Sequence, residues 1–308
     1  MSAPLFIPKL AIIGVGLIGG SLALALKAAG AVGHVVGTGR GEANLQLALT
    51  LGVIDAWTTD MRDAVADADM VVLAVPMGAY ASVLQSIAPH LKVGAIVSDA
   101  GSTKVAAIED AKAQLSDKVH FVAAHPLAGT EQSGAAAAFA ALYQHHLCII
   151  TPEETSNAQA LAQVKRMWEV AGCKVLQMPA AEHDDLLAAV SHLPHVAAFA
   201  LVNAVRKQEN DTYEPFAFAA GGFRDFTRIA SSSPSMWRDI ALANKSALIK
   251  QIDALSQELG NMKQALENQE GENLLAMFSE AKQARDAWLA GKTKAESSIV
   301  DAARGEIV

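Results

Sequence analysis

The sequence predicts an α/β domain built on a parallel sheet, followed by an all-α domain. Short β-branched runs alternate with Ala- and Leu-rich helical segments as far as residue 177, and the strand pattern is lost from Ala180 onward. The chain has 308 residues, more than the roughly 250 that a single hydrophobic core supports. We therefore expect a first domain over residues 1–179 and a helical second domain over residues 180–308.

A glycine-rich turn connects the first predicted strand to the first helix. The apolar run at residues 10–13 leads into Gly14-Val15-Gly16-Leu17-Ile18-Gly19 and then into a helix that reaches about Ala29. In such a motif the first glycine permits a tight turn, the second lets the backbone approach a pyrophosphate, and the third lets the helix pack on the sheet. The pattern is typical of a Rossmann-type dinucleotide-binding domain. The residues that we expect to hold the dinucleotide are Gly14, Gly16, Leu17, Ile18 and Gly19.

The periodicity of the sequence places the remaining elements of the first domain. Strands are predicted at residues 34–37, 69–76, 95–99, 119–123, 147–150 and 174–177, and helices at residues 44–52, 80–91, from 104 onward and 158–171. Val75 and Pro76 end a strand where a parallel sheet opens onto its ligand, and they join the predicted cofactor contacts. Ser102 or Thr103 is the expected N-cap of the helix that begins near Lys104.

The second half reads as helices throughout. A long helix at residues 182–206 contains Pro194, which should distort it, and a short helix is predicted at residues 222–231. One long helix is expected at residues 234–267, another at 273–290, and a polar tail at 292–308. Apolar residues recur at steps of three and four from Ile249 to Leu266, and we expect this stripe to face a second subunit of a homodimer.

Composition restricts the partners and the compartment. The net charge is −8 and the isoelectric point is near 5.6, so nucleic acid and anionic membranes are not expected partners. Cys148 and Cys173 lie in apolar stretches, which indicates reduced core thiols. The N-terminus lacks the pattern of a leader peptide, and no uninterrupted apolar run reaches about 18 residues. We expect a soluble, cytoplasmic protein that binds a small molecule.

The end of the second strand bears on which dinucleotide is bound. NAD-binding domains usually carry an acidic residue here for the ribose 2′-hydroxyl, whereas this chain has Gly39 followed by Arg40. An arginine suits a 2′-phosphate, so we expect NADP to be preferred and NAD to remain usable. The alternative is that Arg40 is an ordinary surface charge.

His125 is the leading candidate for chemistry, with a purely structural histidine as the alternative. It follows directly on a predicted strand, at the edge of the sheet where ligands bind, and Pro126 restrains the loop after it. A neutral imidazole here would accept the proton of a substrate hydroxyl whose carbon gives a hydride to nicotinamide. Ser102 would orient the ring, unless it is only a helix cap. An ordinary histidine would give kcat an acid limb near pH ~6–7.

Two further pairs of residues are candidates for substrate binding. His192 and His195 share one face of the helix around Pro194, although either could be a buried structural histidine. Arg224 and Arg228 are four residues apart, and an acidic protein needs such a cation to hold a dianionic substrate. No metal site is expected, because the paired histidines have no third ligand at metal-binding spacing.

Taken together, these motifs resemble the prephenate/arogenate dehydrogenase family over about residues 9–290. The specific stretches are His125-Pro126-Leu127-Ala128-Gly129, Ser191-His192-Leu193-Pro194-His195 and Phe223-Arg224-Asp225-Phe226-Thr227-Arg228-Ile229-Ala230, which accompany the glycine motif and Asp99-Ala100-Gly101-Ser102-Thr103-Lys104. The resemblance implies a dinucleotide-binding domain, a helical dimerisation domain and an active site between them. The implied reaction is an oxidative decarboxylation: the cyclohexadiene loses a hydride and CO₂, and the ring becomes aromatic.

The resemblance also implies roles for single residues. His125 matches the histidine that hydrogen-bonds the ring hydroxyl, and Ser102 matches the serine that assists it. Arg228 matches the arginine that holds a substrate carboxylate. The resemblance also implies substrate-binding roles for His195, Glu131 and Trp237. His192 is added to this group because it shares a helix face with His195. Prephenate and arogenate differ in a keto or an amino group, and the sequence is compatible with both.

Two other functions fit the same architecture. A β-hydroxyacid dehydrogenase or imine reductase would need a lysine or a comparable group on the helix after the domain junction, where this chain has Ser191–His195. A regulatory module that senses NAD(P) without turnover would need neither His125 nor Arg228.

Overall fold

A computed structural model describes residues 6–130, 132–209 and 213–305. The chain divides into two compact units, Met1–Ile249 and Lys250–Val308. The predicted class, a parallel α/β sheet followed by helices, is confirmed.

The main sheet of the described chain is parallel and has six strands in the order β3-β2-β1-β4-β5-β6. The strands are β1 (Ile7–Ile13), β2 (Val32–Thr38), β3 (Ala56–Thr58), β4 (Met70–Leu73), β5 (Ile96–Asp99) and β6 (His120–Val122). The strand order reverses between β1 and β4, and in doubly wound sheets the ligand crevice lies beyond the carboxyl ends of the strands at that point.

Helices cover both faces of this sheet and enclose two apolar clusters. They are α1 (Leu17–Ala28), α2 (Glu42–Thr50), α3 (Met61–Val65), α4 (Tyr80–Ile87) and α5 (Val105–Gln114). The sequence pattern misses β3 and α3, which have three and five residues. The predicted cap of α5 is wrong: among the described side chains neither Ser102 nor Thr103 caps it, and the carboxylate of Asp184 accepts hydrogen bonds from the backbone N–H groups of Lys104 and Val105.

A second, smaller sheet follows the first. Its described strands are β7 (Ala124–Pro126), β8 (Leu147–Ile150) and β9 (Lys174–Gln177), with α6 (Ala158–Val170) between the last two. β7 is antiparallel to β8, and β8 is parallel to β9. His125 therefore lies within β7, opposite Ile149, and not in a loop after the parallel sheet as the sequence suggests. Cys148 and Cys173 are buried free thiols in this region.

The first helix of the second half is continuous but changes its winding before Pro194. It consists of α7 (Ala180–Leu187), a π-helical segment at Ala188–His192 and α8 (Leu193–Arg206). Proline lacks an N–H donor and crowds the preceding turn, and the π-helical segment lies directly before it. The distortion predicted at Pro194 thus takes this form, and it sets the orientation of His192 at the end of the wide turn.

The remaining helices are α9 (Gly221–Thr227), α10 (Pro234–Ala243), α11 (Lys245–Glu267) and α12 (Gly271–Gly305). Two predictions need correction. The single helix expected over residues 234–267 is broken at Asn244, whose backbone has φ −111° and ψ 35° and whose buried side chain bonds Asp184 and His192. The expected polar tail is helical as far as Gly305.

The stretch Ala180–Arg206 is, within the described residues, the one helix long and apolar enough to cross a membrane by length and composition. His183 and Asp184, near the start of this stretch, are buried and bonded to other parts of the same unit. We therefore interpret the stretch as part of the folded unit.

Candidate active site

His125 is held from one side by a second histidine. The residue is 9% exposed, and its Nδ1 lies 2.9 Å from Nε2 of His183, with the two rings nearly edge to face. The partner comes from α7, 58 residues later in the chain. Nε2 of His125 is the nitrogen that does not face His183, and it is therefore the atom that would meet a substrate.

Asp184 continues this chain of hydrogen bonds. Its Oδ1 lies 2.8 Å from Nδ1 of His183 and accepts from the backbone N–H of Lys104, while Oδ2 accepts from that of Val105. Burial opposes the charge of Asp184, but these hydrogen bonds outweigh it and hold the pKa of the carboxyl below its usual value. One carboxylate thus caps α5 and orients His183.

A buried ion pair lies under the same site. Nζ of Lys104 is 2.5 Å from Asp99 and 2.7 Å from the carbonyl oxygen of Ala124, and both charged side chains are fully enclosed. Asp99 also accepts from the hydroxyl of Tyr80 and from the backbone N–H groups of Gly101 and Ala124. Asp99, the last residue of β5, therefore fixes Gly101, which precedes Ser102, and Ala124, which precedes His125.

Burial and this cation keep His125 neutral. Burial lowers the pKa of His125 well below its usual value, and the charge of Lys104 and the neighbouring His183 and His192 lower it further. The acid limb expected near pH ~6–7 assumes an ordinary histidine pKa, and the sequence does not show that this ring is enclosed. The limb should lie at lower pH.

A second group of side chains gathers around Trp237. The ring of His195 stacks on the indole at 3.6 Å between centroids, and His192 meets it edge to face at 6.1 Å. Nδ1 of His195 lies 2.9 Å from the carbonyl oxygen of Ser191, so it carries the hydrogen. Burial lowers the pKa of His195, and the charge of Arg228 lowers it further; the short helical turn Arg228–Ser231 packs against α8, the helix that carries His195.

His192 is the most enclosed member of this group. It is 1% exposed, and burial lowers its pKa to about 4. Its Nδ1 lies 3.2 Å from Nδ2 of Asn244, an atom that also donates to the carbonyl oxygen of Asp184, so Nδ1 is the acceptor. The ring hydrogen is then on Nε2, which has no partner among the described atoms; the same holds for the indole N–H of Trp237.

The glycine motif forms a cradle at the carboxyl end of β1. Gly14 has φ +101°, and a side chain there would collide with the carbonyl of Ala74, just after β4. A Cβ on Gly16 would meet none of the described atoms within 4 Å, so backbone faces open space there. Asn44 bonds the carbonyl of Val15 and Tyr143 that of Ile18, which fixes the turn and the start of α1.

These features fit a dinucleotide. Gly16 is the N-cap of α1, and no described side chain occupies the capping position, so the N–H groups of the first turn, among them those of Leu17 and Ile18, are left for an anion. Val75, half-buried, lies against the Gly14 turn, and the exposed Pro76 follows it. The described residues include no group of three His, Cys, Asp or Glu side chains placed to hold a metal ion.

Other predicted residues lie as follows. Gly39 follows β2, and a Cβ there would find only Leu45 within 4 Å of the described atoms; Arg40 beside it is exposed. Ser102 is half-buried beside the Asp99 cluster, and the ring orientation expected of it is supplied at Nδ1 by His183. Arg224 and Arg228 are exposed in the single chain. Glu131 lies outside the described residues.

Two family models match this chain in succession. A family model described as the nucleotide-binding domain of prephenate dehydrogenase matches residues 22–177, and one described as its dimerization domain matches residues 179–280. The chain belongs to the prephenate dehydrogenase family.

Similar proteins carry corresponding names. The chain is 41% identical to a cyclohexadienyl dehydrogenase of Zymomonas mobilis over 90% of its own length and 94% of that protein. A crystal structure of prephenate dehydrogenase from A. aeolicus with hydroxyphenyl propionate and NAD⁺ matches with a TM-score of 0.86 and 35% identity, covering 92% of this chain and 99% of that one. A Synechocystis arogenate dehydrogenase matches with a TM-score of 0.76 and 29% identity, covering 91% and 99%.

The geometry adds residues that the sequence motifs do not mark. His183 and Asp184 lie outside all of the motifs named in the sequence analysis. The two residues stand in a run of four polar residues, Glu182-His183-Asp184-Asp185, so the sequence does not single them out. Asn244 falls inside the single helix predicted over residues 234–267. Asp99 and Lys104 stand inside a quoted motif, but their mutual burial is visible only in three dimensions.

Proposed function

We propose that this chain catalyses the oxidative decarboxylation of prephenate or arogenate, with His125 as the proton acceptor. The observation that carries the proposal is the buried imidazole of His125 on β7, whose Nδ1 is held by His183, which leaves Nε2 for a substrate. The chain is an oxidoreductase of this family and uses a nicotinamide dinucleotide, which accepts a hydride when bound.

The chemistry asked of His125 is a transient proton transfer. As C4 of the ring loses hydride, its hydroxyl becomes acidic, and Nε2 takes up the proton. The bond to the ring carboxyl then breaks, CO₂ leaves with the ring made aromatic, and the proton returns to the oxygen. Substrate and product carry the same number of protons on that oxygen, so no net proton is released there. Ser102, from the turn after β5, is proposed to assist at the hydroxyl.

The residues around Trp237 are proposed to hold the substrate side chain. Arg228 supplies positive charge close to His195, and its guanidinium fork suits a carboxylate. His192 offers a buried Nε2–H and Trp237 an indole N–H, both donors without partners among the described atoms. Glu131 is retained as a proposed acidic neighbour from the family resemblance.

The cofactor proposal is a preference for NADP with NAD as a usable alternative. Gly39 offers no carboxylate to a ribose 2′-hydroxyl, and Arg40 is exposed beside it. α2 begins at Glu42 with Gly41 as its N-cap, so its positive end also lies close to this turn in the chain. The negative charge of Glu42 would oppose binding of the 2′-phosphate, and we propose that the attraction of Arg40 outweighs it.

We further propose a homodimer in the cytoplasm, with the domain boundary at residues 179/180. Large apolar side chains are exposed on α8, α11 and α12, among them Leu201, Leu259 and Phe278, and the matched model for residues 179–280 describes a dimerization domain. The two family models meet at residues 177 and 179, which supports that boundary.

The experiment is a matrix of two substrates and two cofactors. Purified protein is mixed with prephenate or arogenate and with NAD⁺ or NADP⁺, and both reduced cofactor and CO₂ are measured. The proposal requires equal amounts of the two products with at least one substrate. Reduction without CO₂ would favour a β-hydroxyacid dehydrogenase, and cofactor binding without turnover would favour a sensing module.

A further inference from the structure

His183 lies between the proposed proton acceptor and a carboxylate. Its Nε2 faces Nδ1 of His125 at 2.9 Å, and its Nδ1 faces Oδ1 of Asp184 at 2.8 Å. The residues His183, His125 and Asp184 are 0%, 9% and 4% exposed, respectively. The arrangement is a continuous line of hydrogen bonds that ends on Nε2 of His125.

The Asp184 carboxylate determines which ring nitrogens of His183 and His125 carry hydrogens. An ionised carboxylate only accepts, so the hydrogen between Asp184 and His183 is on Nδ1 of His183. A single hydrogen then lies between the two rings. If it were on His183, that ring would be a cation in a fully enclosed position; Asp184 would face it, but the charge of Lys104 is buried close to His125 and would oppose it. If it is on His125, both rings are neutral, which avoids burying a further charge.

We propose that His183 is a positioning residue that holds His125 as the Nδ1–H tautomer, so that Nε2 is the lone pair that accepts the substrate hydroxyl proton. This inference rests on the proposed function of His125. When Nε2 takes the proton, the hydrogen on Nδ1 remains donated to His183, and the new positive charge is stabilised through His183 by Asp184.

This stabilisation is needed because other neighbours oppose the charge. Burial, the charge of Lys104 and any positive charge on His183 or His192 all disfavour a charged His125, so His183 can help only as a neutral acceptor; Asp99 is already paired with Lys104. Among the described residues, the hydrogen bonds through His183 connect the ring of His125 to the carboxylate of Asp184. Their effect should therefore appear in the transition state, when charge develops on His125, and not in substrate binding.

The first test reads the tautomer without turnover. The ¹⁵N chemical shifts of histidine separate a protonated from an unprotonated ring nitrogen, and His125→Asn identifies the signals of His125 by their loss. At neutral pH we expect a protonated Nδ1 and an unprotonated Nε2 in the full-length protein. A protonated Nε2 would overturn the proposal, and this result stands even if the proposed reaction fails.

The second test compares two replacements of His183. His183→Phe fills the space but accepts no hydrogen bond, and we expect kcat to fall by about 10²-fold or more with KM and cofactor affinity nearly unchanged. His183→Gln can place Oε1 near the position of Nε2, and we expect it to recover at least tenfold of that loss. The exposed His90→Gln serves as the control and should keep wild-type kinetics.

The outcomes are distinguishable. A folded His183→Phe protein with wild-type kcat, or a His183→Gln protein no better than His183→Phe, would contradict the positioning role. If His183→Phe does not fold, the tautomer measured in wild type and in His183→Gln decides: loss of the Nδ1–H state in His183→Gln without loss of kcat overturns the proposal. A wild-type protein inactive with both substrates refutes the proposed function, while the tautomer measurement still decides the inference.

Discussion

Asp184→Asn tests whether one carboxylate joins α7 to the start of α5. The carboxylate accepts from the backbone N–H groups of Lys104 and Val105 at 2.8 and 3.0 Å and from His183 at 2.8 Å. Asparagine has one acceptor oxygen and an NH₂ group, so at least one of these buried donors would face another donor.

The magnitude follows from these contacts. An unsatisfied buried donor costs about 1–3 kcal/mol. Loss of a negative charge at a helix N-terminus costs about 0.3–1 kcal/mol more, and together we expect the free energy of unfolding to fall by roughly 1.5–4 kcal/mol. Because the negative charge behind His183 is also lost, kcat should fall as well.

The assay is urea unfolding at a fixed protein concentration, since a dimer makes stability concentration-dependent. Asp185→Asn is the matched control: it makes the same chemical change at the next residue, which is exposed, and should stay within about 0.5 kcal/mol of wild type. Equal stability of Asp184→Asn and Asp185→Asn would refute the capping role.

Three further predictions concern the cofactor, the substrate and pH. Gly39→Asp combined with Arg40→Gln should reverse a preference for NADP⁺ in kcat/KM by about ten- to a hundredfold, as one charge-assisted contact supplies; equal use of both cofactors by wild type would rule this out. Arg228→Ala should raise KM for the substrate about tenfold or more, with cofactor KM nearly unchanged; an unchanged substrate KM would transfer the role to Arg224. The pKa of His192 is about 4 in the folded chain and about 6.5 when unfolded, so its stabilisation is complete above pH 6.5 and is lost as pH falls towards 4. Unfolding free energy should drop by about 2–4 kcal/mol over that range and less in His192→Asn; parallel curves would contradict this reading.

The sequence predicts the parts of the fold that are coded locally. Alternating β-branched runs and helical periodicity give the main strands and helices, and the Gly14 turn needs glycine because of its positive φ and its approach to Ala74. These features depend on neighbours within a few residues, so a single sequence contains them. Three-residue β3 and five-residue α3 are too short to show a period.

The parts that the sequence misses are decided by contacts distant in the chain. Ser102 is a reasonable cap for α5, but the capping carboxylate is Asp184, 80 residues from Lys104. Asn244 breaks a helix whose apolar period continues, because its side chain bonds Asp184 and His192. The enclosure of His125, which moves its pKa, likewise depends on residues that no local pattern connects.

The central claim is that neutral His125 accepts the substrate hydroxyl proton, and the pH dependence of kcat in wild type and His125→Asn tests it most directly. We expect wild-type kcat to stay level from about pH 8 to about pH 6.5 and to fall only at lower pH, since the pKa of His125 is well below its usual value. His125→Asn should lose about 10²–10⁴-fold in kcat, with substrate binding retained and the acid limb absent. A His125→Asn protein with near wild-type kcat, or with the acid limb unchanged, would contradict the account.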